Sequence, residues 1–411
     1  MTRANDKNNP LLHPGAAASD RPSRGPRRRR RDDNNAPAAP RHGLWRRIFN
    51  AVWFVVNILV ALALLTSAVS GTLSPQQHPH AVIAAMAFPA ALLAVVAVFV
   101  ADLIWWRRTA VVAGGAMLLC SGSITEYCPL NFPKRALTEE QKARSFTLMS
   151  YNAMAFLLQP GVECEVNPQI SYILEQNPDV VCVQEYMLMM RNPNTRVVQA
   201  QVDSLYRRYP YVMTSSYLQI IFSKYPVEPI PIDFENYEGK GDMGAWRLHI
   251  HDRVVNVFSV HLRSLFFTTH DKATYKKIFN PEDINRRNLS EVKSTIFNKI
   301  VDASKARALQ VDSLQRYIKK YGGANTIVCG DFNEPTGCRS LYTLEHDSHM
   351  RQVYPEVGFG PMITYNANRF WVRIDHVLYR GDLVPHSMHR GDLRASDHYP
   401  LTTTFCFKDG T

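Results

Sequence analysis

The sequence predicts an α/β domain carried behind two or three membrane-spanning helices. Three observations predict it. Two long hydrophobic runs without a charged residue lie within the first hundred or so residues. From about Ser145 short apolar segments of strand character alternate with amphipathic helical ones. Several of those strand segments end on, or carry, a polar residue of a type that does chemistry.

The chain opens on residues 1–46, rich in Pro, Ala, Asn and Arg and including "RGPRRRRR". Such a segment buries too little apolar surface to offset its ordering entropy, so it reads as a disordered basic tail. Contact with an anionic membrane surface and a solvated tail without a partner both fit it. The formal charge of +11 is concentrated here. Residues 1–47 hold 12 Lys/Arg against 4 Asp/Glu, or +8, and the rest of the chain, 35 against 32, carries +3. The nearly neutral remainder gives little support to a polyanion-binding groove.

Residues 47–127 read as a membrane region with spans at about 48–72, 80–103 and 109–125. Ile48–Leu73 is uncharged and, at about 1.5 Å per helical residue, long enough for a hydrocarbon core of about 30 Å. Ala81–Val100 is the second run, with Pro89 tolerated inside it and Asp102, Trp105, Trp106, Arg107 and Arg108 marking its interface end. Thr109–Ile124 is shorter and diluted by Gly and Ser. It either crosses or lies as a re-entrant or interfacial helix. The Ser74–His80 loop has no Lys or Arg, which places it outside, with the basic amino end and Arg107/Arg108 inside. Three crossings make the remainder of the chain extracytoplasmic, the localisation expected of this multi-pass protein. Two would keep it inside.

Residues 142–409 form the soluble domain. "FTLMSYNAM", "DVVCVQEY", "LQIIFSKYPV", "VVNVFSVHL", "TIVCGDFN", "VRIDHVLY" and "YPLTTTFCF" read as strands. "QISYILEQN", "VVQAQVDSLYRRY" and the stretch 283–320 read as helices. Neither a GxGxxG nor a GxxxxGK[ST] loop occurs. Seven cysteines include no CxxC pair. Cys182 and Cys329 sit in apolar runs as core residues, and a disulfide among Cys128, Cys164, Cys338 and Cys406 has no spacing to support it.

The polar residues at the strands are Asn152, Glu185, His261, Asp331, Asn333, Asp375, Asp397 and His398. Each alone has an ordinary explanation as a turn, cap or core residue. Jointly they point to one sheet edge where side chains of several strands converge. Glu185 and Asp397 are hard oxygen donors suited to Mg²⁺, with Mn²⁺ as an alternative. Asp331 and Asn333 lie one residue apart on one face of an extended backbone, Gly330 before them allowing close approach. Two histidines can donate to a phosphate, and a buried Asp can orient one of them. Together they suit phosphoester hydrolysis with a metal-activated water.

On these residues the chain resembles the endonuclease/exonuclease/phosphatase superfamily, the DNase I-like fold, from about Ser145 to Phe407. The similarity runs through "YN", "QE", "FSKYPV", "HL", "GDFN", "RIDH" and "SDHYP" in that order. The membrane part is similar to the multi-span leader of bacterial membrane-bound members. The resemblance implies a four-layer α/β sandwich with its site at one rim. It implies Glu185 as main metal ligand, aided by Asn152 and Asp397. It also implies that Asp331 activates water, Asn333 holds the transition state, Asp375 orients His398, and His261 and His398 contact the scissile phosphate. Met154 and His261 stand where abasic-site nucleases of the superfamily carry an acid and a Tyr, which leans toward its DNase I-like or sphingomyelinase-like members. "RIDHV" departs from the Trp-Cys-Asp-Arg motif of inositol polyphosphate 5-phosphatases. The expected substrate is a phosphoester in a nucleic acid, a phospholipid or a small molecule. No protein partner is inferred. The competing expectation is an inactive binding module on the same fold.

Overall fold

The computed structural model describes residues 42–105, 108–157, 165–186, 199–215, 218–232, 242–265, 286–367 and 372–408. The predicted tail before His42, Trp106, Arg107, Cys164 and the aromatics Phe266, Phe267 and Tyr275 lie outside these residues. The chain divides into two compact units, 1–51 and 52–411. The contacts that build the site belong to the second.

Helix α1 (His42–Ser70) begins inside the segment assigned to the tail. The second hydrophobic run is two helices, α2 (Pro79–Met86) and α3 (Phe88–Trp105), parted at Ala87. Pro89 lies in the first turn of α3, where a missing N–H costs nothing. The third run is also broken: α4 (Ala110–Leu119) and α5 (Ser121–Tyr127) meet at 71°. Two helices, Gly43–Ser70 and Phe88–Trp105, are long and apolar enough to cross a membrane, and the bent pair would make a third crossing. Asp102, buried among these helices, accepts from Trp53 Nε1 at 2.6 Å and Thr109 Oγ1 at 2.7 Å.

The domain beyond holds two six-stranded mixed sheets. One contains β1 (Ser145–Asn152), β2 (Val180–Gln184), β3 (Tyr211–Thr214), β4 (Gln219–Ser223), β11 (Leu383–Arg390) and β12 (Leu401–Phe407), in the order β11-β12-β1-β2-β4-β3. The other contains β5 (Val227–Pro229), β6 (Asp242–Ile250), β7 (Arg253–His261), β8 (Asn325–Asp331), β9 (Arg351–Gln352) and β10 (Asp375–Arg380), in the order β5-β6-β7-β8-β10-β9. In each sheet one central pair is parallel, β1 with β2 and β7 with β8. The inner faces meet through Phe146, Leu148, Cys182, Trp246, Ile327 and Phe405. The outer faces are covered by helices, which is why the central strands read as unbroken apolar runs. α6 (Pro168–Gln176) and α7 (Gln199–Arg208) place Ile170, Ile173, Val202 and Leu205 on Tyr151, Val181 and Val183. α8 (Arg286–Tyr321) and α9 (Arg339–Asp347) place Val311, Leu314, Leu341 and Leu344 on Phe258, Val260 and Val328. The four layers are thus α/β/β/α.

Two strand expectations are corrected. "LQIIFSKYPV" is β4 and β5, which belong to different sheets. A turn closed by Ser223 Oγ, which accepts from Tyr225 N at 2.9 Å, carries the chain across. β6 occupies a stretch to which the sequence assigned no strand. Cys182 and Cys329 are core residues, and every cysteine among the described residues is a free thiol.

The strand ends determine where the polar residues go. In the ladders Asn152 lies opposite Gln184, the residue before Glu185, and His261, Asp331 and Asp375 form one row across β7, β8 and β10. Just before Asp331, Gly330 has φ +134°, and a Cβ there would sit 2.0 Å from the Val260 carbonyl oxygen. Replacing Gly330 by Ala forces β7 and β8 apart beside the row. We expect Gly330→Ala to lower stability by about 1–3 kcal/mol. A lower melting temperature of the full chain in detergent is the measurement. An unchanged melt would contradict the close approach.

Candidate active site

Asn152 ends β1 in one sheet, and its amide reaches the other. Nδ2 donates to Glu185 Oε1 at 3.1 Å and to Asp331 Oδ2 at 3.0 Å, while Oδ1 accepts from Met154 N at 3.1 Å. Asp331 is almost wholly buried, and its Oδ2 is the hub of the rim. Around that oxygen stand Asn152 Nδ2, Asn333 Nδ2 at 3.1 Å, His398 Nε2 at 3.5 Å and His261 Nε2 at 3.8 Å. Asp331 Oδ1 accepts from Asn333 N at 2.8 Å. That bond closes the turn after β8 with Asn333 at φ +51°. Glu185 lies at φ +54° just past β2. Two non-glycine residues in the left-handed region, both at the rim, mark a place where the fold holds backbone strain in order to aim side chains.

His398 is buried and held from both ends. Nδ1 lies 2.9 and 3.1 Å from the two carboxyl oxygens of Asp375, and Nε2 faces Asp331. Burial alone would push its pKa down. The carboxylates of Asp375, Asp331 and Asp397 overcome this and raise it to about 10, which favours the imidazolium, with Nδ1 donating to Asp375 and Nε2 ion-paired with Asp331. Burial pushes Asp375 up, with His398 pulling it back. His261 is less buried and stands between Glu185 Oε1 at 3.4 Å and Asp331. Ser396 Oγ donates to the Asn152 carbonyl at 2.9 Å and accepts from His398 N at 3.2 Å, which ties the last strand's approach to the first. Asp397 is half-buried between Ser396 and His398.

All eight residues singled out by sequence are therefore at this rim. Sequence reasoning missed their supports. Thr364 Oγ1 accepts from the backbone N–H groups of Ile374 and Asp375 at 3.0 and 3.1 Å. The Tyr365 ring sits edge-on to His398 with centroids 5.0 Å apart. Behind Asn333, buried Glu334 accepts from Ser304 Oγ at 2.8 Å and Ser340 N at 3.1 Å and faces Arg307 Nε at 3.3 Å. Buried Arg373 donates to Thr336 Oγ1 and to the Glu126 carbonyl of α5. These partners are distant in sequence and carry no spacing signal. Only "GDFNEP", with an acid inside an otherwise buried turn, offered a hint.

Four carboxylates, Glu185, Asp331, Asp375 and Asp397, thus share one rim with the His398 imidazolium and His261. The negative excess and the hard oxygen donors fit a divalent cation. Asp331, Asp375 and His398 offer three ligand atoms within 4.8 Å of one another. In that group, however, the His398 Nδ1 proton occupies Asp375, which makes the pair an orienting dyad. Glu185, more open than the other acids of the hub, and Asn152 leave the better place for a metal.

His376, next to Asp375, faces the other way. Nε2 meets the Glu334 carbonyl at 3.1 Å and the ring packs edge-on to Phe332. Burial and then the Arg373 charge lower its pKa from 6.5 to about 3. The folded state therefore holds it neutral, while the unfolded chain protonates below about pH 6.5. Its contribution is fully present above that pH and is lost as pH falls toward 3. We expect His376→Asn to flatten the loss of melting temperature between pH 6.5 and 4, ~1.4 kcal/mol per pH unit being the steepest share one group can supply. Identical acid limbs for both proteins would refute this.

Comparison with known proteins places this geometry. The Endonuclease/Exonuclease/phosphatase family matches residues 149–398, from within β1 to His398 itself. A domain of unknown function (DUF8431) matches residues 46–127. Among curated proteins none matches. Solved structures are similar to the chain at low identity. An endonuclease/exonuclease/phosphatase from Beutenbergia cavernae has 16% identity, 64% of this chain and 72% of that one covered, and TM-score 0.43. D. rerio TDP2, complexed with a single-strand DNA product, has 17%, 64% and 98%, and 0.42. The human Nocturnin catalytic domain, with bound sulfate, has 16%, 64% and 95%, and 0.42. At these scores the likenesses carry no argument about substrate. The family match spans more than half of the sequence, and the chain belongs to the endonuclease/exonuclease/phosphatase family. It is accordingly a hydrolase acting on phosphoester bonds, of a family that depends on divalent metals.

Proposed function

We propose that this member of the endonuclease/exonuclease/phosphatase family is a membrane-anchored, Mg²⁺- or Mn²⁺-dependent phosphodiesterase or phosphatase whose site faces away from the cytoplasm. The observation that carries the chemistry is the convergence on Asp331 Oδ2 of Asn152, Asn333, His261 and His398. Glu185 and Asn152, with Asp397 in support, would hold the cation, which supplies charge neutralisation at a phosphoryl oxygen and lowers the pKa of a bound water.

The chain's own residues supply the rest. Asp331, fixed by two Asn side chains, positions the attacking water and takes its proton. His398 is charged at neutral pH and rigid through Asp375, so it offers a donor to the charge that develops on the phosphoryl group. His261 approaches the same point from β7 and supplies a second donor. Asn333 holds the transition state by keeping the Asp331 carboxylate aimed, its amide donating to Asp331 Oδ2 and to the Leu262 carbonyl. An inactive binding module would have no need of the strained Glu185 and Asn333 or of the Asp375–His398 dyad.

The orientation is supported by the contacts between membrane region and domain. Arg339 Nη1 donates to the Thr72 carbonyl at 2.7 Å and Gln76 Nε2 to that of Lys305 at 3.2 Å. Gly71 lies so close to Gly337 that a Cβ would sit 1.9 Å from its carbonyl oxygen. The α1–α2 loop and the end of α5 thus share the domain's side. That loop has no Lys or Arg, while Arg46 and Arg47 belong to the first turns of α1 and Arg108 to the α3–α4 connection.

The full chain in detergent should hydrolyse bis-p-nitrophenyl phosphate with Mg²⁺ or Mn²⁺ and stop on chelation. Asp331→Asn and His398→Ala should each cut kcat by about 10²–10⁴-fold in a chain that remains folded. Full activity in both would remove the assignment. For orientation, single cysteines at Gln77 and at exposed Lys408 should both react with an impermeant thiol reagent on intact cells. Labelling of only one would overturn the three-crossing reading.

A further inference from the structure

Beside the catalytic rim, but separated from it by one chain segment, runs a groove of about 930 Å³. Its wall includes Asn366 and Tyr399, neighbours of Tyr365 and His398. The cations lining it are Lys134, Arg390 and Arg394, and no Asp or Glu lines it among the described residues. His386 and His389 also line it, burial and the Lys134 charge holding the His386 pKa below its ordinary value. Lys134 Nζ donates to the Pro385 carbonyl at 2.7 Å. Arg390 stacks on Tyr399 at 4.1 Å and pairs with Asp392, which lies outside the lining. Arg394 is exposed. Phe359, Met362, Ile363 and Met388 supply an apolar side.

The mouth of this groove carries an exposed apolar patch. Leu130, Phe132 and Phe359 are 70%, 82% and 62% exposed. Leu130 bridges to Phe359, and the Phe132 and Phe359 rings lie 6.1 Å apart. The patch is built rather than accidental. Asn131 Nδ2 donates to the Pro355 and Gly358 carbonyls at 2.8 and 3.1 Å, and Gly360 N to that of Pro129 at 2.7 Å. It stands within five residues of Tyr127, the end of α5, so at about 3.5 Å per residue it lies within about 18 Å of that helix end. Tyr354 on the groove wall also stacks on Arg373, which is bound to α5 through the Glu126 carbonyl. The patch and groove therefore open at the head of the membrane helices.

Aromatic and aliphatic side chains beside Lys134, Arg390 and Arg394, with no acid among the described lining residues, match the charge and polarity profile of a leaflet surface. We propose that this groove binds the headgroup phosphate and upper acyl chains of an anionic membrane phospholipid, at a site distinct from the catalytic cluster. The lipid seats the domain against the bilayer and turns the rim toward its surface. The proposal rests on the membrane-anchored reading above.

The test uses the full chain in lipid discs, which expose both faces and so make the outcome independent of which side is cytoplasmic. A photoreactive phosphatidylglycerol in a phosphatidylcholine disc should label peptides from 129–134, 357–363 and 386–394. Lys134→Glu with Arg394→Glu should cut that labelling about tenfold or more, each cation near an anionic surface being worth about 1 kcal/mol. Turnover of bis-p-nitrophenyl phosphate by the same sample should be unchanged. Should the double variant fail to fold, Arg394→Gln, at an exposed position, carries the comparison. Equal labelling by photoreactive phosphatidylcholine, undiminished labelling in a folded variant, or loss of label to an added single-stranded oligonucleotide or a second copy of the chain would each overturn the proposal. Absent turnover with intact groove labelling would instead count against the hydrolase mechanism alone.

Discussion

The amide of Asn152 holds the rim together. It donates to an acid from each side of the sandwich, Glu185 behind β2 and Asp331 at the end of β8. Two sheets packed face to face can slide by a fraction of a residue without losing much apolar contact, because dispersion and burial are weakly directional. Hydrogen bonds at about 3 Å are not so tolerant. With Gln184 Nε2 donating to Ser259 Oγ at 2.8 Å and Ser259 Oγ to Gln219 at 2.7 Å deeper between the layers, the amide converts a general hydrophobic stacking into one register. Every other polar residue of the site inherits its position from that register.

The same constraint explains why so many acids can be buried together. A buried carboxylate is tolerable only when its oxygens are occupied. Here both oxygens of Asp375 are occupied by the His398 ring, and Asp331 by two amides and a backbone N–H. Glu334, one residue beyond Asn333, is occupied by Ser304, Ser340 and Arg307. Glu185 keeps the most open face of the three acids nearest the hub. That asymmetry, more than the count of acids, separates groups that hold one another from a group ready to hold something else.

The legibility of the site in the sequence has the same physical origin. A strand buried on both faces must be apolar until it leaves the core, so a polar residue at its end stands out. Asn152, His261 and Asp331 were visible for that reason, and the ladder register then joins His261, Asp331 and Asp375 in one row. The partition of strands between sheets was not legible. The Ser223–Pro226 turn fixes a change of direction but not which edge the next strand joins, and β4 and β5 were read as one. The break at Cys120 between α4 and α5 was foreshadowed only by the Gly and Ser content of the run. Thr364, Thr336 and Arg373 were silent. Each acts through a partner that only the folded chain brings near.

The close fit of Gly71 against Gly337 bears on the order in which the molecule comes into being. Synthesis delivers residues 71–78 and 121–127 long before β8 and the turn after it. The last part of the rim to be made must therefore settle on a surface that already exists, with Arg339 and Arg373 closing onto carbonyls of the α1–α2 loop and of α5. A newly made chain whose first helices are misplaced lacks that template. Its Asp331–Thr336 turn is then left without one of its walls, and maturation of the hydrolase becomes contingent on the success of an earlier step.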